Sequence, residues 1–190
     1  MRGDNQQQNR FFELLEPELP RFQAFCRKLT GDADWGDDLV QDALYDAWRG
    51  FERLRQDLAF KSWLYQIAVN RYRTDLRKWK KQAGPTLPLT NDLVNDGQSR
   101  LRLARDRLNV AMAGLSAADR ALVTLHELEG WSYSDLAAMF GSREGRLRTR
   151  LTRCRRRMQE TLQRHMERAE KDSFAIGANR SCVVVKQKDS

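Results

Sequence analysis

Arg146, Arg148, Thr149, Thr152 and Arg153 share one side of a helical period, flanking the apolar series Leu147, Leu151, Cys154, Met158 and Leu162. Guanidinium groups on a helix face can take phosphates, or the O6/N7 pair of guanine when the first turns of the helix enter a major groove. The residues just upstream supply the turn that such a helix needs. Ser132-x-x-Asp135 reads as a capping box that opens a short helix with Leu136, Ala137 and Phe140 inward. Gly141 follows where a tight helix-to-helix turn favours a residue that accepts positive φ. The pattern is that of a helix-turn-helix. A solvated Arg-rich helix in a bundle would explain the apolar series, but not the turn chemistry and the arginine face together.

A second constellation is Asn70–Lys81, NRYRTDLRKWKK, which runs directly out of the apolar FKSWLYQIAV segment. It interleaves Trp63, Tyr65, Tyr72 and Trp79 with Arg71, Arg73, Arg77, Lys78, Lys80 and Lys81. Cations for a phosphate chain beside aromatic faces for unstacked bases form a composition suited to single-stranded nucleic acid. The plainer reading places Trp63 and Tyr72 in a core and leaves the cations solvated, and Trp63 is expected to be internal. A third group has the opposite sign. Asp38, Gln41, Asp42, Tyr45 and Asp46 lie away from the apolar stripe of the 37–49 segment and would repel a phosphate backbone. They fit either a protein partner with basic or mixed helices, or an ordinary solvated face.

Enzyme chemistry finds no comparable support. His126 and His165 are isolated, without metal-ligand spacing, and neither a Gly-rich phosphate loop nor a nucleophile elbow occurs. Cys26, Cys154 and Cys182 are odd in number and have no CxxC spacing, so they read as reduced thiols of a cytoplasmic protein. No catalytic residue, metal site or cofactor is expected. The N-terminal MRGDNQQQNR lacks the apolar run of a signal peptide, and no stretch approaches a membrane span, so no membrane insertion is expected.

The elements that must position these groups are helical. Leu39/Ala43/Ala47 and Val40/Leu44/Trp48 recur at i, i+4, i+8, as do Phe60/Leu64/Ala68 with Trp63/Ile67. Leu19, Phe22, Phe25, Cys26 and Leu29 make another stripe that Thr30-Gly31 can end. Residues 82–100 hold Gly84, Pro85, Pro88, Asn91, Asn95 and Gly97 without a sustained period, which is linker composition. The expected fold is all-α: a helical domain over 1–81, a flexible linker over 82–100, a helix-turn-helix domain over 101–165, and a mobile tail over 166–190. The net charge of +8 is unevenly spread along this order. Residues 61–81 carry seven basic groups against one acidic, and 131–170 carry ten against five, whereas 1–60 carry eight against twelve. Two positive blocks suggest a polyanion, nucleic acid ahead of a membrane surface.

Three segments, LTGDADWGDDLVQDALYDAWR (29–49), FKSWLYQIAVNRYRTDLRK (60–78) and LEGWSYSDLAAMFGSREGRLRTRLTRCR (128–155), resemble bacterial RNA polymerase sigma factors of the extracytoplasmic-function group. They cover most of residues 20–160 in the family's order, with a linker of suitable length. The resemblance implies that Asp38, Gln41, Asp42 and Tyr45 face core polymerase at the β′ clamp helices. It implies that Asn70, with Arg73, Arg77, Lys78, Trp79 and Lys80, holds the opened minus-ten strand, and that the Arg146–Arg153 face reads the minus-thirty-five element. It further implies contact with the β flap and an anti-sigma factor as regulator. The family's usual Gly-Thr-Val-Lys-Ser-Arg run appears here as Gly145-Arg146-Leu147-Arg148-Thr149-Arg150, which adds charge to the groove-facing turn. The implied function is an alternative sigma factor, a dissociable specificity subunit and not itself an enzyme. The rival is a helix-turn-helix regulator that acts on duplex DNA without being a polymerase subunit.

Overall fold

The computed structural model describes the backbone over residues 2–83 and 99–184, and side chains over 5–79, 81, 102–168 and 171. Among the described residues there are helices and turns but no strand. Helices α1 (Arg2–Leu15), α2 (Leu19–Thr30), α3 (Ala33–Gly50) and α4 (Phe60–Ala83) precede the linker; α5 (Ser99–Ala113), α6 (Ala117–Val123), α7 (Tyr133–Phe140) and α8 (Glu144–Val184) follow it. Most of the proposed linker, residues 84–98, lies outside the described residues, as do residues 185–190.

Local chemistry explains the boundaries. Asp32 caps α3 by accepting from the backbone N–H of Trp35 at 2.7 Å, a contact of the kind that contributes about 1 kcal/mol. Gly36 lets α2 and α3 cross closely, because a Cβ there would lie 2.6 Å from the Cα of Arg27. The same crossing is tied at the surface by Arg27, which donates to both carboxylate oxygens of Asp37 at 2.7 and 2.8 Å. Most of the stripe residues legible in the sequence are interior, among them Phe22, Phe25, Leu29, Leu39, Val40, Ala43, Ala47, Leu64 and Ala68. Leu44 and Ile67 are half-buried, and Trp48, expected on the same stripe as Val40, is exposed where it meets Phe11 at the edge of the helical unit. Phe11 of α1 meets Phe51 and Phe60 edge-on at 5.1 and 5.8 Å between ring centroids. Short 3-10 turns at Phe51–Arg53 and Asp57–Ala59 then lead into α4.

Contacts divide the chain into one compact unit of residues 1–92 with 115–154, and another of 93–114 with 155–190. These units cut across the boundaries read from the sequence, 1–81 and 101–165. The cause is packing in the first unit: Trp131 reaches Tyr65 of α4 at 5.1 Å, and Arg150 at the start of α8 pairs with Asp119 of α6 at 2.6 Å. In the second unit, Ala111 and Met112 of α5 are buried. Gly114 allows close approach there, since a Cβ would stand 2.9 Å from Thr161 Oγ1. The exposed side of α8 carries i,i+4 pairs, Arg156–Glu160 at 2.8 Å and Gln163–Glu167 at 2.9 Å. Residues 166–184, which by composition begin a tail, continue the backbone of α8 to Val184. The side chain of Cys182 lies outside those described.

Candidate nucleic-acid interface and partner face

The helix-turn-helix is built by reciprocal capping. Ser132 Oγ accepts from the Asp135 backbone N–H at 3.1 Å, while the Asp135 carboxylate accepts from the Ser132 N–H at 3.3 Å. Gly141 closes α7 in the left-handed region with φ 58°, where a Cβ would be strained. Leu147, Leu151 and Cys154 point inward and are essentially inaccessible. That orientation turns Arg146, Arg148, Thr149, Thr152 and Arg153 out to solvent together, as the spacing requires.

Three of these outward groups are pre-arranged. The Arg148 guanidinium lies 5.0 Å over the Tyr133 ring and donates to Glu144 at 3.3 Å. The Thr149 and Thr152 hydroxyls donate to the carbonyls of Gly145 and Arg148, each at 3.0 Å. Beside the face, Arg150 is half-buried and paired, not a free cation. It donates to Asp119, whose carboxyl also accepts from Ser116 Oγ at 2.7 Å. Burial of Asp119 favours its neutral form, but hydrogen bonds from Ser116, Arg150 and Cys154 outweigh it and hold the carboxyl below the usual range. His126 completes the support: its Nδ1–H donates to the Trp131 carbonyl at 2.9 Å and its ring packs on Tyr133 at 4.4 Å.

On α4 the buried residues Leu64, Tyr65, Ala68, Val69, Tyr72 and Leu76 define the inward face. Asn70, Arg73, Arg77 and Lys78 stand on the opposite face, exposed, with Trp79 half-buried beside them; the Lys80 side chain lies outside those described. The aromatic part of this block divides. Tyr72 is fully buried against Trp35 at 5.4 Å, and Tyr65 is held between Phe22 and Phe25, so neither ring can offer a face to a base. Trp63, expected inside, is half-buried at the edge of the Phe51 and Phe60 rings.

Asp38 and Gln41 are exposed on α3, and Tyr45 is 62% exposed beside the Arg49 guanidinium. Asp42 is half-buried because Arg71 of α4 donates to it at 2.8 Å. Arg71 also stands 3.5 Å from both Asp46 and Asp75. It belongs to the basic block by sequence, but three carboxylates surround it. Pairing across two helices leaves no trace in local spacing, which is why sequence reasoning could not separate Arg71 from its cationic neighbours. Tyr133, under Arg148, was missed for the same reason. Leu58, wholly exposed in the turn before α4, was also missed; its one signal is an apolar residue in a polar loop.

Residues 14–82 match sigma-70 region 2 and residues 99–158 match sigma-70 region 4. The chain is 33% identical over 161 residues to the ECF RNA polymerase sigma factor SigM of Mycobacterium tuberculosis, covering 84% of this chain and 79% of that protein. The chain belongs to the ECF RNA polymerase sigma factors. It is also 28% identical over 145 residues to the sigma factor EcfG of Rhodopseudomonas palustris, covering 76% and 80% of the two chains. Among solved structures it is similar to the sigma factor RpoE of Bartonella quintana, in complex with the anti-sigma factor NepR, with a TM-score of 0.65 and 30% identity. That likeness covers 80% of this chain and 96% of the other. CnrH, solved with the cytosolic domain of CnrY, shares the fold with a TM-score of 0.58, 21% identity, and coverage of 80% and 87%.

As an alternative sigma factor the protein is a specificity subunit of RNA polymerase, and its partners are core polymerase and promoter DNA. A regulator of duplex DNA outside the polymerase is not the reading that this family membership favours. Among the described residues no helix is long and apolar enough to cross a membrane, and no group of three or more potential metal ligands is present.

Proposed function

We propose that the three faces divide the work of promoter-directed initiation in the cytoplasm. Asp38, Gln41, Asp42 and Tyr45 on α3 dock on the β′ clamp helices of core polymerase. Asn70 receives an unstacked base of the minus-ten element, while Arg73, Arg77, Lys78, Trp79 and Lys80 hold the backbone of the opened strand. Arg146, Arg148, Thr149, Thr152 and Arg153 read the minus-thirty-five element in the major groove, with the β flap holding the surrounding domain. The sigma factor performs no bond-making chemistry; nucleotidyl transfer belongs to the polymerase.

The observation that carries this reading is the sorting of charge by helix. The exposed cations of α4 and α8 stand on faces distinct from the acidic α3 face. Partner chemistry follows: phosphate for the first two, a basic protein surface for the third. Unstacking a base costs a few kcal/mol, and about 1–3 kcal/mol per stacked base together with backbone contacts offsets it. The RpoE and CnrH structures support an anti-sigma factor as the regulator of this protein too, by analogy with NepR and CnrY.

In vitro transcription with core polymerase over genomic fragments tests the proposal and yields the promoter motif at once. Specific initiation is expected, abolished by Asp38→Arg. A tight, sequence-specific footprint from the sigma factor alone, with no effect on initiation by core polymerase, would overturn it.

A further inference from the structure

The helix that carries Arg146 to Arg153 continues to Val184, and its cations continue with it. Arg153 is followed along α8 by Arg157, Arg164, Arg168 and Lys171, at intervals of 4, 7, 4 and 3 residues. At 3.6 residues per turn these five stand within about 60° of arc, and all five are exposed. The inward sides of this stretch are marked by half-buried Met158 and Leu162 and by Thr161, against which Gly114 of α5 closes. The carboxylates nearest the stripe are engaged by other side chains: Glu160 accepts from Arg156 at 2.8 Å and Glu167 from Gln163 at 2.9 Å. Arg164 folds back on its own helix, donating to the Glu160 carbonyl at 3.1 Å and the Thr161 hydroxyl at 3.3 Å, which fixes where its charge stands.

The stripe lies where charge is most concentrated and least explained. Residues 93–114 with 155–190 carry thirteen basic groups against seven acidic, a surplus of six within the chain's net +8, yet neither proposed DNA face belongs to that unit. The match to sigma-70 region 4 ends at residue 158. Arg164, Arg168 and Lys171 therefore lie outside what the family relationship accounts for.

We infer that Arg157, Arg164, Arg168 and Lys171 form a sequence-independent binding surface for the phosphate backbone of duplex DNA flanking the minus-thirty-five element. The inference rests on the placement of the Arg146–Arg153 face in the major groove proposed above. That groove is about 12 Å wide and winds away from a straight helix, whereas about 38 Å of helix separate Arg146 from Lys171. The later turns cannot stay in the groove with the first, and the polyanion they meet on leaving it is the phosphate chain at its edge. From Arg157 to Lys171 is about 21 Å of helix, a length over which one strand presents about six phosphates. Cations at the edge of a groove meet phosphates and not base edges, so the surface adds affinity and register without sequence preference.

The test is the salt dependence of binding. The full-length sigma factor is titrated at low salt into two fluorescent duplexes taken from a promoter that the transcription assay identifies. One is cut to the minus-thirty-five element, and the other extends it by about one helical turn on each side. The slope of log K against log salt should be steeper by about 2 to 3 on the extended duplex. Arg164→Gln combined with Arg168→Gln should flatten that slope by about 1.8 and leave the short duplex unchanged. Gln matches Arg in helix propensity, and circular dichroism checks that helix content persists. Arg164→Lys combined with Arg168→Lys should keep the wild-type slope, since a phosphate contact needs the charge and not the guanidinium fork.

Equal wild-type slopes on the two duplexes, or equal flattening of both by the Gln pair, would overturn the inference. So would a larger flattening on single-stranded RNA of the extended length, which would make the stripe a transcript-binding surface. The same titration separates the two proposals. A short duplex that binds as tightly with its element scrambled sinks the major-groove assignment, whereas intact discrimination with no effect of the flanks sinks only this one.

Discussion

Arg71 of α4 donates to Asp42 of α3 at 2.8 Å, so this half-buried cation of the basic block belongs to the acidic face and not to the DNA face. Asp46 and Asp75 complete its surroundings at 3.5 Å. Nearby opposite charges favour the ionised guanidinium against the partial desolvation that opposes it, and its pKa is raised. The consequence is measurable. Removing one cation from the phosphates of single-stranded DNA should lower the slope of log K against log salt by about 0.7. Arg73→Ala should show that change in a fluorescence titration with a minus-ten oligonucleotide, and Arg71→Ala should not. Arg71→Ala should instead weaken core polymerase binding, by no more than about fivefold, since the pair is partly exposed and screened. A reduced salt slope in Arg71→Ala would place that residue on DNA after all.

The support behind the recognition helix makes a second prediction. Asp119 is ionised in the folded protein because Ser116, Arg150 and Cys154 hydrogen-bond its carboxylate. Its native pKa is lowered from 3.8, so the stabilisation is complete above that ordinary value and is lost as pH falls through the lowered one. Asp119→Asn keeps the shape but not the charge and should destabilise the protein by about 2 kcal/mol at neutral pH. Urea melts from pH 7 down to pH 2 should show the gap between wild type and Asp119→Asn constant above the ordinary carboxylate value and closing only below it. A gap independent of pH would mean that the carboxylate's charge contributes nothing.

Close helix crossing predicts an effect opposite to local propensity. Gly36→Ala would favour α3 by about 1 kcal/mol if only helix propensity counted. The new Cβ would meet the Arg27 backbone at 2.6 Å, however, and backbone cannot rotate away as a side-chain end can. Overpacking of this kind costs about 1–3 kcal/mol. The expected net result is a lower melting temperature, by a few degrees in calorimetry, and an unchanged or raised value would show that α2 and α3 separate readily.

What the sequence disclosed and what it hid follow from the range of the interactions. Stripes at i, i+4 reproduce most of the buried sides of α2, α3 and α4 because one face of each helix meets the core, although the Val40/Leu44/Trp48 stripe runs out to an exposed Trp48. The capping box at Ser132 and the turn at Gly141 are likewise local, and both are present. The outward set from Arg146 to Arg153 follows from Leu147 and Leu151 pointing in. By contrast, the docking of Trp131 on Tyr65, the capture of Arg71 by α3, and the stacking of Arg148 on Tyr133 join residues whose separation carries no periodic mark. Helical period also could not say whether Tyr72 was a platform for bases or a core residue, since both lie on an amphipathic helix; contact with Trp35 decides it.

The separation of Asn70 from the α8 face makes the last prediction, that promoter recognition and promoter opening fail independently. Asn70 is exposed on α4, with Arg73 and Arg77 on the same side, and its carbonyl accepts from the Thr74 hydroxyl at 3.0 Å while its side-chain amide stays available. Asn70→Ala removes a group suited to hydrogen-bonding the edge of an unstacked base but leaves every duplex contact in place. Permanganate reactivity of the opened strand should fall tenfold or more, corresponding to about 1–3 kcal/mol per base contact, with little change in closed-complex binding. Arg148→Ala and Arg153→Ala should do the reverse: holoenzyme binding weakens on a promoter with the upstream element, and much less on one where that element is scrambled. Tyr133→Leu tests the same face indirectly, since removing the ring that supports the Arg148 guanidinium should give a smaller loss confined to the upstream element. Equal losses of binding and opening in all of these variants, on both templates, would mean that the two helices act as one undivided DNA surface.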